Sequence, residues 1–175
     1  NPDMGDAVLE IAAVHINENF RIDKKHEFRS FVNPGRDIPS HSTLIHGITD
    51  EQVENAPDFM TVFYDFADFA RDTVLVAHNA AKDMAFLRAE LAEYSVAPPF
   101  SVVIDSLKLS RVCYRGIKHD LESLTETFHL DDRVKGRQHR ALPDAKRTAL
   151  LFVKMIRMIF PKECLQLSEL MMIQN

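Results

Sequence analysis

Short apolar runs alternate along this chain with longer segments of helical spacing, and their order limits the folds that the chain can adopt. The first two runs, Ala7–Ile16 and Phe28–Val32, are separated by the polar stretch 17–25 and predict an antiparallel hairpin. The next two, Thr73–Ala77 and Val102–Ile104, are each followed by a helical pattern. A hairpin followed by strand–helix repeats predicts a mixed α/β sheet with helices on its faces.

Capping residues and apolar spacing locate the helices. Thr49, with Gln52 three residues later, matches a capping box. Phenylalanines at 59, 63 and 66 keep helical spacing, so we expect them to be core residues and not a base-stacking platform. The remaining predicted helices are Ala80–Tyr94, Ser106–Tyr114, Asp120–Phe128 and Leu142–Phe160.

Composition narrows the functional classes. The chain has 175 residues and a net charge of −5, which disfavours tight wrapping of duplex nucleic acid but not a local site built on metal ions. Its two cysteines form no ligand pair and predict reduced thiols and a cytoplasmic location. No apolar run is long enough to span a membrane. We expect one domain at 1–160 and a short tail at 161–175.

One candidate functional residue follows the buried strand Thr73–Ala77. Asp83 falls in the first turn of the next helix, near the carboxyl end of that strand. Ligands bind at this edge of open α/β sheets, and the helix dipole favours an ionised carboxylate there. Taken alone, this aspartate is better explained as a residue that only supports the helix start.

A second candidate pair lies before and within the last predicted helix. Asp144 follows Pro143 in the first turn, and His139 precedes the helix in a loop. A loop histidine beside a carboxylate suits a general base next to a metal ligand. A solvent-exposed histidine and a helix-start acid would give the same pattern.

Together the two segments resemble a known family. The motifs Asn-x-x-x-Asp-x-x-Phe-Leu at 79–87 and His-x-Ala-x-x-Asp at 139–144 resemble the DEDD family of 3′–5′ exonucleases, in its histidine-containing (DEDDh) branch. That branch includes polymerase III proofreading subunits and ribonuclease T. Further similarity lies at Val8–Val14, at 33–49 and at Ile104–Leu107. The resemblance implies a ribonuclease H-like fold with a five-stranded mixed sheet.

The resemblance also implies a mechanism. In this family four carboxylates hold two divalent ions roughly 3.5–4 Å apart, and a histidine takes a proton from the attacking water. By resemblance, Asp83 and Asp144 are catalytic metal ligands and His139 is the general base. Ligation by oxygen alone favours two Mg²⁺ or Mn²⁺ ions.

Substrate and partner contacts are implied in the same way. His46 borders the family's nucleotide site, Asn79 positions it, and Arg140 is a candidate phosphate contact. The implied partner is the 3′ end of single-stranded DNA or RNA, with a DNA polymerase or a sliding clamp as further candidates. Residues 166–171 faintly resemble a clamp-binding peptide.

One part of the family pattern does not appear in the sequence. The family's first two acids come from an Asp-x-Glu on a first strand, and no such strand precedes Asn1. Asp3, Asp6 and Glu10 lack its strand–turn context, and Glu10 fits the second strand instead. We expect the natural protein to carry about 10–15 further residues that form this strand.

Three functions therefore remain open at this stage. The first is a DNA exonuclease similar to the polymerase III proofreading subunit, releasing nucleoside monophosphates. The second is an RNA-trimming exonuclease of the same family, since no residue pattern reads the 2′-hydroxyl. The third is a catalytically silent nucleic-acid-binding or interaction module, if the Asp-x-Glu strand is truly absent.

Overall fold

The computed structural model describes residues 7–130, 134–136 and 139–160, together with 169, 171 and 172. The four strands predicted within the sequence are present, as β1 Glu10–Ile16, β2 Ile22–Phe31, β3 Leu75–Ala77 and β4 Val103–Asp105. β1 pairs with β2 antiparallel, and β3 pairs with β4 parallel. Among the described residues these pairs form two separate two-stranded sheets, because a cleft lies between β1 and β3. The predicted α/β class is confirmed.

The helices follow the predicted order with one addition. The short helix α1 had no sequence prediction, and it ends at Gly47, whose φ of 72° is the left-handed conformation that glycine adopts without strain. The third helix begins at Phe59 because Asp58 caps it, accepting the Thr61 N–H at 2.8 Å. The helices described are α1 Ser40–His46, α2 Asp50–Val53, α3 Phe59–Phe69, α4 Ala80–Ala92, α5 Ser106–Cys113, α6 Leu121–Thr127 and α7 Ala141–Ile159.

The hairpin is longer than its apolar pattern indicated. β2 begins at Ile22, so the turn is confined to residues 17–21. The Asn17 side chain organises this turn by accepting the N–H groups of Asn19 and Arg21 at 3.0 and 3.1 Å. In the first half of β2, Lys25 and His26 are exposed polar residues, which is why the apolar pattern predicted only the second half of the strand.

The long helix α7 is the central support of the fold. It packs against β1, β2 and β3 as well as α5 and α6. Leu151, Met155 and Ile156 of α7 are fully buried in the cluster that α5 and α6 complete. A second cluster joins α3 to β2 and α4, and it buries the phenylalanines at 59 and 63. Their predicted core role is confirmed.

No helix in the described part of the chain has both the length and the apolar composition that crossing a bilayer requires. The predicted tail at 161–175 lies outside the described residues except for 169, 171 and 172. The faint resemblance to a clamp-binding peptide at 166–171 therefore remains a prediction.

Candidate active site

A cleft of about 1760 Å³ opens between the two strand pairs, and it is lined by β1, by the end of β3 and by the starts of α4 and α7. Asp83, His139 and Asp144 all line this cleft, as do His46 and Asn79. Residues more than fifty positions apart thus meet at one surface. The predicted roles of these residues in metal binding and catalysis stay predictions.

Asp83 reaches the cleft because α4 starts immediately after β3. Asn79, the residue before α4, adopts a left-handed φ of 67°, which asparagine tolerates better than most residues. Its backbone N–H donates to Oδ1 of Asp105 at 3.1 Å, which ties the helix start to the end of β4. Asn79 therefore has a clear structural role here, alongside its predicted contact with substrate.

The surroundings of Asp83 disfavour the ionised form of its carboxyl group. The residue is open to solvent along the cleft, yet the surrounding protein displaces enough water to raise its pKa to about 6. The Lys82 charge opposes this rise without cancelling it, and the neighbouring Asp105 adds to it. A bound cation would stabilise the ionised form of such a carboxyl group.

A polar network with two buried serines and two half-buried histidines, which no sequence pattern had predicted, supports this edge of the cleft. His78 Nε2 lies 2.8 Å from the His119 carbonyl oxygen, which can only accept, so this nitrogen carries the proton. In the neutral ring, Nδ1 is then an acceptor 3.0 Å from the Ser106 oxygen, and it shares the Ser106 hydroxyl proton with the Ala77 carbonyl at 3.2 Å. Burial lowers the pKa of His78, consistent with this neutral form. Ser110 extends the network to Nδ1 of His119 at 2.9 Å.

Asp144 is held more firmly than Asp83. Nη1 of Arg147 donates to its Oδ1 at 3.0 Å, and Nη2 of the same arginine donates to the Gly136 carbonyl at 3.2 Å. Arg147 is only 4% exposed. Burial still raises the pKa of Asp144, although Arg147 and His139 act in the opposite direction. Arg147 lies three residues after Asp144, a helical spacing that could have revealed the pair.

His139 lies at the mouth of the cleft just before α7. Its side chain is exposed, and its φ of 60° is unusual for a residue other than glycine. Its backbone N–H donates to the Asp144 carboxylate. The imidazole is therefore free to reach the cleft while the backbone is fixed beside Asp144.

His46 and Arg140, the other two residues predicted to contact substrate, have different surroundings. Nδ1 of His46 accepts the Ile48 N–H at 3.0 Å, which orients this ring at the cleft wall. Arg140 does not line the cleft, and its guanidinium binds the buried carboxylate of Glu10. This ion pair favours a structural role for Arg140, and its contact with substrate phosphate stays a prediction.

The residues at the cleft fit a divalent metal site only in part. Asp83 and Asp144 offer hard oxygen ligands of the kind that Mg²⁺ and Mn²⁺ prefer. Within the described ranges, no group of three or more His, Cys, Asp or Glu side chains is arranged to hold a metal ion. The donors described here therefore amount to part of a ligand set, and further carboxylates are needed to complete it.

Comparison with protein families and sequences gives a consistent result. The family model described as Exonuclease (RNase T) matches residues 1–152. The chain is 36% identical over 154 residues to DNA polymerase III PolC-type of Bacillus subtilis, covering 87% of this chain and 10% of that protein. It is 34% identical over 160 residues to the DNA polymerase III subunit epsilon of Rickettsia felis, covering 89% of this chain and 68% of that protein. The chain thus spans about a tenth of the PolC-type proteins that it matches.

Solved structures agree on the fold. Exonuclease X in complex with 5′-overhanging duplex DNA superposes with a TM-score of 0.72 at 26% identity, covering 95% of this chain and 90% of that one. The nuclease domain of 3′hExo, a DEDDh family member bound to rAMP, gives a TM-score of 0.78 at 22% identity, with 90% and 84% covered. The predicted ribonuclease H-like fold is confirmed.

Proposed function

Because this chain belongs to the exonuclease family, we propose that it hydrolyses nucleic acid from the 3′ end and releases nucleoside monophosphates. One observation carries the proposal: Asp83, His139 and Asp144 line a single cleft although they come from distant parts of the sequence. This convergence is what a hydrolytic site with metal ligands and a general base requires.

We propose two divalent cations, Mg²⁺ or Mn²⁺, as cofactors. Asp83 and Asp144 would hold them, and the raised pKa of both carboxyl groups indicates negative charge that the protein does not fully compensate. When bound, the ions would stabilise the charge that develops on the phosphoryl group.

Other residues of the chain would take up the proton and bind the substrate. His139 would take the proton from the attacking water, because its exposed ring can move while its backbone is fixed beside Asp144. His46 and Asn79 would border the terminal nucleotide. Lys82 and Lys118, which are exposed and line the cleft, would contact the phosphates.

We further propose that a strand carrying Asp-x-Glu fills the cleft between β1 and β3 in the natural protein. Within the described residues, each of these strands is paired on one side only, so both have an edge free for a partner. Unpaired strand edges are unfavourable when they are not covered. A strand inserted there would bring two more carboxylates beside Asp83 and Asp144, and residues 1–160 would then act as one exonuclease domain.

The preferred substrate is single-stranded DNA, since the relatives reported above are named as DNA polymerase III proteins. RNA trimming and a catalytically silent role are the competing outcomes of the assay. By the same reasoning we propose association with a replicative polymerase, or with its sliding clamp, and a cytoplasmic location.

The test uses the natural protein, including any residues encoded upstream of Asn1. A 5′-labelled single strand of DNA and its RNA counterpart are incubated with Mn²⁺, with Mg²⁺ and with excess chelator. We expect stepwise shortening of the DNA from its 3′ end, release of monophosphates and no activity in chelator. Equal activity in chelator would contradict the metal mechanism, faster shortening of RNA would favour the trimming enzyme, and no cleavage of either strand would favour the silent module.

A further inference from the structure

Glu10 of β1 makes a set of contacts that reaches the start of α7, 131 positions along the chain. Its carboxylate is only 3% exposed. Oε2 accepts the Ala141 backbone N–H at 2.9 Å and Nε of Arg140 at 3.0 Å, while Oε1 accepts Nη2 of Arg140 at 3.1 Å. Arg29 completes the set by donating Nε to Oε1 at 2.8 Å.

These contacts overcome the unfavourable burial of a charge. Burial by itself would raise the pKa of Glu10, but the hydrogen bonds from Arg140, Ala141 and Arg29 outweigh it, and the net pKa is lowered. Glu10 is therefore ionised at neutral pH. A buried carboxylate with this many donors fixes the geometry of the groups that bind it.

The groups bound by Glu10 directly follow His139. Arg140 precedes α7 and Ala141 is its first residue, while the Arg140 carbonyl accepts the Asp144 N–H at 3.1 Å. His139 itself has the left-handed φ of 60°, which costs an L-residue on the order of 1–2 kcal/mol and must be held by its surroundings. Fixing residues 140 and 141 restricts the backbone that connects the proposed base His139 to the proposed metal ligand Asp144.

We propose that Glu10 is a positioning residue for the reaction: through Arg140 and Ala141 it holds the start of α7 so that His139 and Asp144 face the cleft. This inference rests on the proposed function. Glu10 itself does not act on the substrate in this account, because its carboxylate is buried and fully engaged by the two arginines and the backbone.

Arg29 provides an internal control. The Arg29 and Arg140 guanidinium groups lie 5.4 and 5.3 Å from the centre of the same Phe31 ring, and both bind Glu10. Arg29 belongs to β2, whereas Arg140 adjoins α7. Removing either arginine removes one ion pair with Glu10, but only the loss of Arg140 breaks a contact with the segment that carries His139.

The experiment compares Glu10→Gln, Arg140→Gln and Arg29→Gln in the natural protein, with Val62→Ala as a stability control from the separate α3 cluster. Glu10→Gln keeps the shape of the side chain and an acceptor for Ala141, so it is preferred to an alanine variant that could fail to fold. The measurements are kcat, KM, thermal midpoint and hydrogen exchange of the Ala141 amide.

We expect Glu10→Gln and Arg140→Gln to lower kcat about 10- to 100-fold, as displacement of reacting groups does, with little change in KM and with faster exchange at Ala141. Arg29→Gln should lower kcat by less than about threefold, because it leaves the contacts with α7 in place.

The outcomes separate the two proposals. An active parent protein whose Glu10→Gln variant keeps its kcat would overturn the positioning role alone. So would a loss of kcat no greater than Val62→Ala produces at an equal drop in thermal midpoint. A parent protein without nuclease activity would overturn the proposed function, and the positioning role with it.

Discussion

The starts of α4 and α7 each present an aspartate to the same cleft, but the two carboxylates are stabilised to different degrees. Among the described residues, its own backbone and the nearby Lys82 charge favour the ionised form of Asp83, against burial and Asp105. Asp144 has the buried Arg147 guanidinium and the His139 backbone. The protein itself therefore orients Asp144, whereas most of the compensation for Asp83 is left to a ligand.

The largest expected effect is on turnover. It tests whether the different surroundings of Asp83 and Asp144 matter in the reaction. Asp83→Asn and Asp144→Asn should each lower turnover on the order of 10³-fold, because each removes a charge from the proposed metal site. The Mn²⁺ concentration for half-maximal rate should rise more for Asp83→Asn, since no described residue pairs with that carboxylate as closely as Arg147 pairs with Asp144. Rates are measured over a Mn²⁺ titration.

Asp65→Asn, an exposed change on α3, is the control for these two variants. Equal Mn²⁺ dependence in the two cleft variants would show that the difference in surroundings has no functional consequence.

An effect of comparable size separates His139 from its neighbour Asp144. His139→Ala should lower kcat by roughly 10²–10⁴-fold, the usual contribution of a general base, while Mn²⁺ dependence changes little. Asp144→Asn should change both kcat and the Mn²⁺ dependence of the rate. Pre-steady-state rates and a Mn²⁺ titration on each variant make the distinction, and a His139→Ala protein that loses its metal would identify the imidazole as a ligand.

A third prediction concerns the cation beside each aspartate. Arg147→Met should destabilise the fold by about 2–3 kcal/mol, because it leaves Asp144 partly buried without its partner and frees the Gly136 carbonyl. Lys82→Met, at an exposed position, should cost less than about 0.5 kcal/mol. Urea denaturation measures both changes.

The double variant Arg147→Met with Asp144→Asn checks the cause of that loss. It should recover part of the stability lost in Arg147→Met, because no unpaired charge remains. A fully additive result would mean that Arg147 stabilises the protein by contacts other than its ion pair with Asp144.

The smallest expected effect is a gain in thermal stability. The folded-state pKa of Asp83, about 6, exceeds its ordinary value of 3.8, so the ionised carboxylate destabilises the metal-free fold above pH 6. Asp83→Asn should therefore raise the thermal midpoint in chelator at pH 7. The cleft is open to solvent, which limits the gain to about 1 kcal/mol, or 2–4 °C in a domain of this size.

The pH dependence supplies the check on this gain. The gain in thermal midpoint should shrink as the pH falls from 6 towards 4, because Asp83 becomes protonated in the parent protein over that range. Asp144→Asn should bring a smaller gain, because burial also raises the pKa of Asp144 but the Arg147 guanidinium, which would lose its anionic partner, compensates part of that charge. An equal gain in both variants would contradict the difference drawn between the two aspartates.

Local sequence patterns were enough to predict the helix starts that carry the two aspartates. A strand followed at once by a helix places Asp83 in a first turn, and Pro143 with Asp144 marks the beginning of α7. Backbone preference and apolar spacing act over a few residues, so these features can be recognised from the sequence. The polar half of β2 and the short helix α1 were missed, because neither has a strong apolar period.

The contacts between distant segments could not be predicted from the sequence. That Glu10 binds Arg140 and Ala141, or that His78 bonds to the His119 carbonyl, depends on how β1 lies against α7 and how β3 lies beside the loop before α6. In sequence, Glu10 is one polar residue in an apolar run, and Arg140 is one cation among many. The sequence alone determined the types of element and the residues at their ends, since those follow from local geometry. Only tertiary structure decided which charges are buried together, because burial and ion pairing depend on packing between segments that the chain keeps far apart.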